Sequence, residues 1–321
     1  MPLSFWLHAK RVLFFKAFFP QLISGPIVKA HEFMPQIELK LLKDIDFKSC
    51  FKYLAIGFFL KMVVADNLKD YTFWIAFPYY QKYSTLTLIS MLFGYSFQIF
   101  ADFAGYSLIA IGLARLFGYK FNENFNFPYI SVSFKEFWKR WHISLSSFLM
   151  EYLYIPLGGS KNGKIRTYIN LLLTMTLGGL WHGAAWSYAV WGFAHGSVLV
   201  IERILSGNTT QQYSRFYLFT KGVFVFSFVT IAWLLFKLPD FKNVIDYILS
   251  ILNNYHKPDD IRIISCILIY SSPVLFYHGY HLLKKHTSLN IQRLEFIIYG
   301  MMLFLIITNS GSPGSFIYFQ F

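Results

Sequence analysis

The chain has 321 residues, 55% of them hydrophobic and 21% aromatic, and only 14% charged against the roughly 25% usual for soluble domains. Its apolar residues fall in blocks approaching the ~20 residues that cross a bilayer, which excludes an ordinary water-soluble globule. The formal net charge of +13 does not point to nucleic acid: the cations stand between apolar blocks, where anionic lipid headgroups attract them by about 1 kcal/mol each, and no basic nucleic-acid module is present.

In chain order, Met1–Lys16 does not read as a convincing signal peptide, because Lys10, Arg11 and Lys16 interrupt its apolar run and no cleavage pattern follows. Pro20, Gly25 and Pro26 break the stretch Phe18–Val28. Non-helical backbone at membrane depth needs protein or water around it, so Pro20–Val28 reads as a re-entrant or interfacial element. Phe51–Val64 follows as a short span, extending into its flanks or re-entrant, and then Leu86–Gly118. Within the latter, Asp102 is a lone carboxylate among Ile99, Phe100, Phe103 and Tyr106. It predicts a cation or hydroxyl partner inside the bundle, to orient another residue or to take part in chemistry.

Ser133–Tyr154 reads as one amphipathic helix. Trp138, Trp141, Leu145, Phe148 and Tyr152 form one stripe, and Lys135, Lys139, His142 and Ser146 another. Such a helix lies along the membrane interface. Ser131 or Ser133 caps its start, the latter with Glu136 three residues on, and Pro156 and the glycines beyond end it. Gly158, Gly163 and Lys164 match a phosphate-loop spacing, but Ile165 stands where the magnesium-binding hydroxyl belongs and no strand precedes. The loop is a basic turn, with Lys161, Lys164 and Arg166 able to attract an anionic donor. Lys161–Arg166 is also the best candidate for a cytoplasmic loop.

Tyr168–Leu205, Phe216–Phe236, Ile261–Tyr277 and Phe296–Thr308 complete roughly six to eight expected spans. His182 lies in the first of these, in Leu177-Gly178-Gly179-Leu180-Trp181-His182-Gly183-Ala184-Ala185-Trp186. An ionisable group there is costly and reads as a functional site, the alternative being a neutral histidine hydrogen-bonded between helices, and the small residues around it let other helices or a substrate approach. His195 lies in the same block; in a continuous helix it would stand about 20 Å from His182, lining the same cavity at another depth or binding a neighbouring helix. His278, His281 and His286 cluster with Lys284 and Lys285 and read as a solvated turn, not a metal site, since no Cys or carboxylate is near. Cys50 and Cys266 read as small buried residues. There is no Gly-x-Ser-x-Gly elbow and no cysteine pair. The chemistry available at membrane depth is therefore acid–base work by histidine.

Four blocks resemble the membrane-bound O-acyltransferase family, in its bacterial alginate O-acetyltransferase branch. They are Phe19-Pro20-Gln21-Leu22-Ile23-Ser24-Gly25-Pro26-Ile27-Val28; Tyr95 through Asp102-Phe103-Ala104-Gly105-Tyr106-Ser107 to Glu123-Asn124-Phe125-Asn126-Phe127-Pro128-Tyr129; Phe137-Trp138-Lys139-Arg140-Trp141-His142-Ile143-Ser144-Leu145-Ser146 with Tyr154-Ile155-Pro156-Leu157-Gly158-Gly159; and Arg166-Thr167-Tyr168 with Asn170, leading into Gly178–Ala184. The ending Phe316–Phe321 is similar too.

The resemblance implies an all-α, polytopic transmembrane helical bundle around a tunnel, with interfacial and re-entrant helices, residues 1–321 forming a single membrane-embedded domain. It implies that His182 is the central catalytic histidine, that His142 holds the position of a second polar residue, and that His195 matches a further functional histidine. The donor it implies is acyl-CoA, in particular acetyl-CoA, with no metal; the acceptor is a polysaccharide hydroxyl. A periplasmic SGNH-type acetyltransferase is the expected partner, and the cell inner membrane, with its lipid, the expected setting. Asp102, Lys139, Arg140, Lys164, Arg166 and Trp181 are the expected substrate-binding residues, the cations for CoA phosphates. In the mechanism expected, His182 is the general base and His142 or a backbone donor stabilises the oxyanion. Family members carry further spans before the Phe-Pro-Gln block, so the chain is expected to lack N-terminal spans. The rival readings are D-alanyl transfer to teichoic acid within the same family, a transporter with a histidine proton path, and an inactive remnant.

Overall fold

The structure, a computed structural model, describes residues 4–22, 25–206, 214–286 and 294–314, with the backbone alone at 285–286. Ile23, Ser24, the His286 side chain and the ending Phe316–Phe321 thus lie outside the described residues. Among those described, every regular element is helical, as expected of a chain that must satisfy its backbone within hydrocarbon.

Helix α1 (Phe5–Ala17) leads into a 3-10 turn, Phe19–Gln21, that buries Pro20, and then into an irregular passage. The prolines keep this passage from being a clean span. Helix α2 runs through Phe47–Phe58, a π-helical stretch Phe59–Ala65, and Asp66–Thr72. The short expected span thus extends into both flanks, giving a rod of roughly 40 Å. Helix α3 (Thr85–Leu116) lies antiparallel to it: Arg115 meets Ser49, Gly105 meets Gly57, and Gln98 meets Thr72. A Cβ on Gly57 would stand 2.8 Å from the Gly105 carbonyl, so only glycine allows this closeness.

The expected single interfacial helix Ser133–Tyr154 is broken. Helix α4 (Phe134–Arg140) stops at Trp141; helix α5 (Ile143–Leu149) restarts after His142 and winds into a π-helical stretch, Met150–Tyr154. The cap is as expected: Ser133 Oγ accepts from Glu136 N at 3.0 Å, and Glu136 Oε2 accepts from Val132 N at 3.0 Å. The placement is not. Phe137, Trp141, His142 and Leu145 are buried, because the break turns the residues around it into the bundle, while Lys135, Lys139 and Tyr152 stay exposed.

The block Tyr168–Leu205 is also two helices, α6 (Gly163–Leu180) and α7 (Trp186–Leu205). They pack as a tight hairpin: a Cβ on Gly192 would come 2.2 Å from Met175 O, and one on Gly179 2.2 Å from Tyr188 O. Helices α8 (Arg215–Ala232), α9 (Phe241–Asn253), α10 (Ile261–His286) and α11 (Glu295–Thr308) complete the bundle. Thr85–Leu116, Arg215–Lys237 and Ile261–Lys284 are long and apolar enough to cross a membrane. The other apolar blocks are shorter helices or interrupted ones, so the described residues hold fewer uninterrupted spans than the six to eight expected.

Helix α10 corrects the reading of His278. It is no solvated turn residue but is buried against Phe100, with Nδ1 2.9 Å from Val274 O. His281 stacks on Phe127 at 3.9 Å. No cluster able to hold a metal occurs among the described residues, and Cys50 and Cys266 are free thiols.

Candidate active site

Helix α6 ends at Leu180, where Gly178, Gly179 and Gly183 let Leu149 and Tyr188 approach closely. Trp181 N, His182 N and Gly183 N close the last turn onto Leu177, Gly179 and Leu180 carbonyls at 2.9, 3.0 and 3.2 Å. His182 therefore stands in a chain break between α6 and α7, not in a helix. Its half-buried ring is walled by Trp181, Trp191 and Phe236, with centroids at 5.2, 5.6 and 5.2 Å and steep interplanar angles. Trp181 itself is 55% exposed, so this wall is the open one. An imidazole held edge-to-face in an apolar cage can exchange a proton with a substrate while water is thinned out around it.

His142 occupies the second break, in the left-handed region at φ 43°. Its Nδ1 lies 3.1 Å from Asn124 Oδ1. The same oxygen accepts from Ser144 N at 3.2 Å and Ser144 Oγ at 2.9 Å, while Asn124 Nδ2 donates to Ser107 Oγ at 3.1 Å. Because the Ser144 backbone N–H can only donate, the atom facing His142 is the amide oxygen. His142 Nδ1 then carries the proton, and in the neutral ring Nε2 is a bare acceptor. That geometry suits holding a hydroxyl and does not suit donating to an oxyanion.

Around this seat, Ile27 N donates to Ser144 Oγ at 2.9 Å, tying the proline-broken passage to α5. Lys29 reinforces the tie by bonding Ser147 Oγ at 2.8 Å and pairing with Glu151. That Lys29 hydrogen bond holds the Glu151 carboxyl below its ordinary value.

His195 is fully buried between Phe137, Trp138, Trp191 and Phe228. The continuous-helix separation of about 20 Å from His182 does not hold, because the chain breaks between them: Trp191 touches both rings, at 5.6 Å and 4.7 Å. One indole separates the two imidazoles.

The remaining expected site residues scatter. Asp102 finds the predicted cation: Lys61 Nζ lies 2.8 Å from it and 2.6 Å from Asp66, beneath the Tyr106 ring. Arg140 is bound to Glu136 at 2.9 Å and to Asn126 O at 3.0 Å, holding the α4 turn. Lys139, Lys164 and Arg166 are exposed. Lys164 and Arg166 sit at the far end of α6 from His182; 18 residues of helix make that separation about 27 Å. Sequence reasoning missed Asn124 as the seat of His142, Lys61 as the partner of Asp102, and Trp191 as the wall between histidines. Asn124 stood inside a quoted block, but nothing in its spacing reveals a contact with residues 18 positions on.

Residues 7–239 match the family model described as MBOAT, membrane-bound O-acyltransferase family. The chain is 37% identical to Peptidoglycan O-acetyltransferase of Helicobacter pylori, over 76% of this chain and 47% of that relative. It is 42% identical to Probable alginate O-acetylase AlgI of Pseudomonas aeruginosa, over 70% of this chain and 42% of the relative. With Teichoic acid D-alanyltransferase of Bacillus subtilis it shares 33% identity, over 59% of this chain and 50% of the relative. The chain spans about half the length of the curated relatives it matches.

Proposed function

The chain belongs to the membrane-bound O-acyltransferase family, and on that premise we propose that it transfers an acyl group, in our reading acetyl, from acyl-CoA to hydroxyls of a cell-surface or exported polysaccharide. The observation that carries this reading is the placement of His182 in a helix break inside an aromatic cage, with a second histidine rigidly seated at another break.

In this mechanism the bare Nε2 of His142 accepts from the acceptor hydroxyl and orients it. His182 takes the hydroxyl proton as the oxygen attacks the thioester carbonyl carbon. The C–S bond then breaks, and the imidazolium returns the proton to the thiolate, so atoms and charge balance. Acid–base catalysis of this kind contributes about 10²–10⁴-fold. Lys139, Lys164 and Arg166 serve the phosphate end of the donor; only a donor with a long arm, such as a CoA, could meet Lys164 and His182 together. Arg140 and Asp102 act by holding the frame. The basic loop Lys161–Arg166 faces the cytoplasm of the cell inner membrane, and a periplasmic SGNH-type acetyltransferase carries the acyl group onward. The O-acetyl relatives match more of the chain, at higher identity, than the D-alanyl relative, which favours the acetyl reading over D-alanyl transfer.

The test is purified protein in nanodiscs with radiolabelled acetyl-CoA. His182→Ala should abolish turnover and keep the thermal transition. A folded His182→Ala variant that turns over like the parent would end this reading.

A further inference from the structure

Three side chains whose polar atoms this mechanism leaves idle, Trp138, Trp191 and His195, lie together on the side of Trp191 away from His182. Neither ring nitrogen of the fully buried His195 has a hydrogen-bond partner among the described residues. The indole Nε1 atoms of Trp138 and Trp191 are buried and unpartnered as well. The three rings touch pairwise: Trp191 and His195 at 4.7 Å, Trp138 and His195 at 5.2 Å, Trp138 and Trp191 at 5.7 Å. Ser187, Trp191 and His195 fall at i, i+4 and i+8 on one face of α7. Ser187 Oγ is also buried and unpartnered, so the row of idle polar groups runs from the His182 turn into the bundle.

Buried polar groups in folded proteins are almost always satisfied, by protein, water or ligand. The chemistry of these groups selects what satisfies them. An indole N–H only donates; a neutral imidazole offers one donor and one acceptor. A cation is disfavoured, because no carboxylate is hydrogen-bonded to any of the three rings. An apolar ligand leaves every N–H unpaired. An O–H group fits: its oxygen accepts from the indoles, and its hydrogen goes to the bare imidazole nitrogen.

We propose that Trp138, Trp191 and His195 form a hydroxyl-binding subsite one indole ring behind His182, filled by water or by an alcohol of the acyl acceptor. The second source alone rests on the acyl-transfer reading; the subsite itself does not. No bond is made there. The subsite supplies an oriented O–H group next to the wall of the reacting histidine, and Trp191 belongs to both.

The experiment is NMR of the full chain in nanodiscs, ¹⁵N-labelled at the tryptophan indoles, with the Trp138 and Trp191 signals assigned through Trp138→Phe and Trp191→Phe. Both indole protons should sit at hydrogen-bonded shifts with cross-peaks to water. In His195→Phe, which keeps the ring and loses the nitrogens, both should move upfield and lose those cross-peaks while the other indole signals stay. Glycerol is the probe for the alcohol source: replacement of the water cross-peaks by glycerol cross-peaks supports an alcohol site, and their persistence supports water. Indole protons at free shifts, with cross-peaks to neither, overturn the proposal. The readout needs no turnover, so a chain that shows the subsite and fails to use acetyl-CoA sinks only the functional reading.

Discussion

Truncating Asn124 to alanine separates the seat of His142 from everything else in the bundle. The Asn124 side chain makes four hydrogen bonds, three into Oδ1 from His142 and Ser144 and one from Nδ2 to Ser107. Its loss strands at least two buried donors, the Ser144 backbone N–H and the His142 ring N–H. At about 1–3 kcal/mol per stranded donor the cost is about 2–6 kcal/mol, a large part of the ~5–15 kcal/mol that holds a typical domain. Ser107→Ala removes one bond of the four and should cost about 1 kcal/mol. Thermal unfolding in detergent reads the stability, and acetyl-CoA turnover per folded protein reads the chemistry. Asn124→Ala should fall on both counts, with turnover down about 10²-fold or more once His142 loses its orientation. Equal behaviour of Asn124→Ala and the parent, or equal damage from Ser107→Ala, would show that Asn124 does not seat the histidine.

Three further substitutions probe the frame. Lys61→Met leaves Asp66 and Asp102 without their cation and should destabilise by about 3–5 kcal/mol, as breaking a buried pair does; an unshifted melting temperature refutes the pairing. Gly192→Ala puts a methyl 2.2 Å from Met175 O and should cost about 1–3 kcal/mol as α6 and α7 are forced apart, lowering turnover through Trp191; a neutral effect on melting would mean that the hairpin is looser than described. Glu151 gives a pH test. Lys29 lowers its carboxyl in the folded state, so the stabilisation is complete above the ordinary glutamate value of about 4.3 and is lost as pH falls through the lowered one. Melting temperatures of the parent and Glu151→Gln should differ at neutral pH and converge in acid, whereas a constant gap would exclude the Lys29 tie.

Apolar block length and the cost of a lone ionisable group were legible in the sequence, and they located α3, α8 and α10 and foresaw that Asp102 has a buried partner, though not that the partner is Lys61. Where helices stop was harder to read. The stripe through Trp138, Trp141 and Leu145 has good helical spacing, yet the backbone turns left-handed at His142, and periodicity is blind to one residue leaving the helix. Tyr168–Leu205 read as one block because hydropathy sums over the Trp181–Ala185 turn. His278 was misplaced because its sequence neighbours are basic, while burial is decided by Phe100 and Tyr129 from other segments. Lys164 shares a helix with the His182 turn but lies at its other end, a separation that helix length alone sets.

Both breaks have a common physical logic. Within a helix, a side chain points where the backbone sends it and its neighbours at i±4 fill the adjacent space. A residue at a break escapes that geometry, but its freed backbone groups must then find partners inside the bundle. At His142 the partners come from Asn124, whose side chain takes the Ser144 amide and whose carbonyl takes Ile143 N at 2.9 Å. At His182 the tight closure onto α6 carbonyls and the glycine contacts between α6 and α7 do the same. Two imidazoles delivered from separate breaks need not share an element, and each is held by its own wall, Phe103 for His142 and Trp181, Trp191 and Phe236 for His182. Mutations that restore helix at either break, such as Gly183→Ala beside the Tyr188 ring at 2.5 Å, should therefore damage the site more than their volume alone suggests.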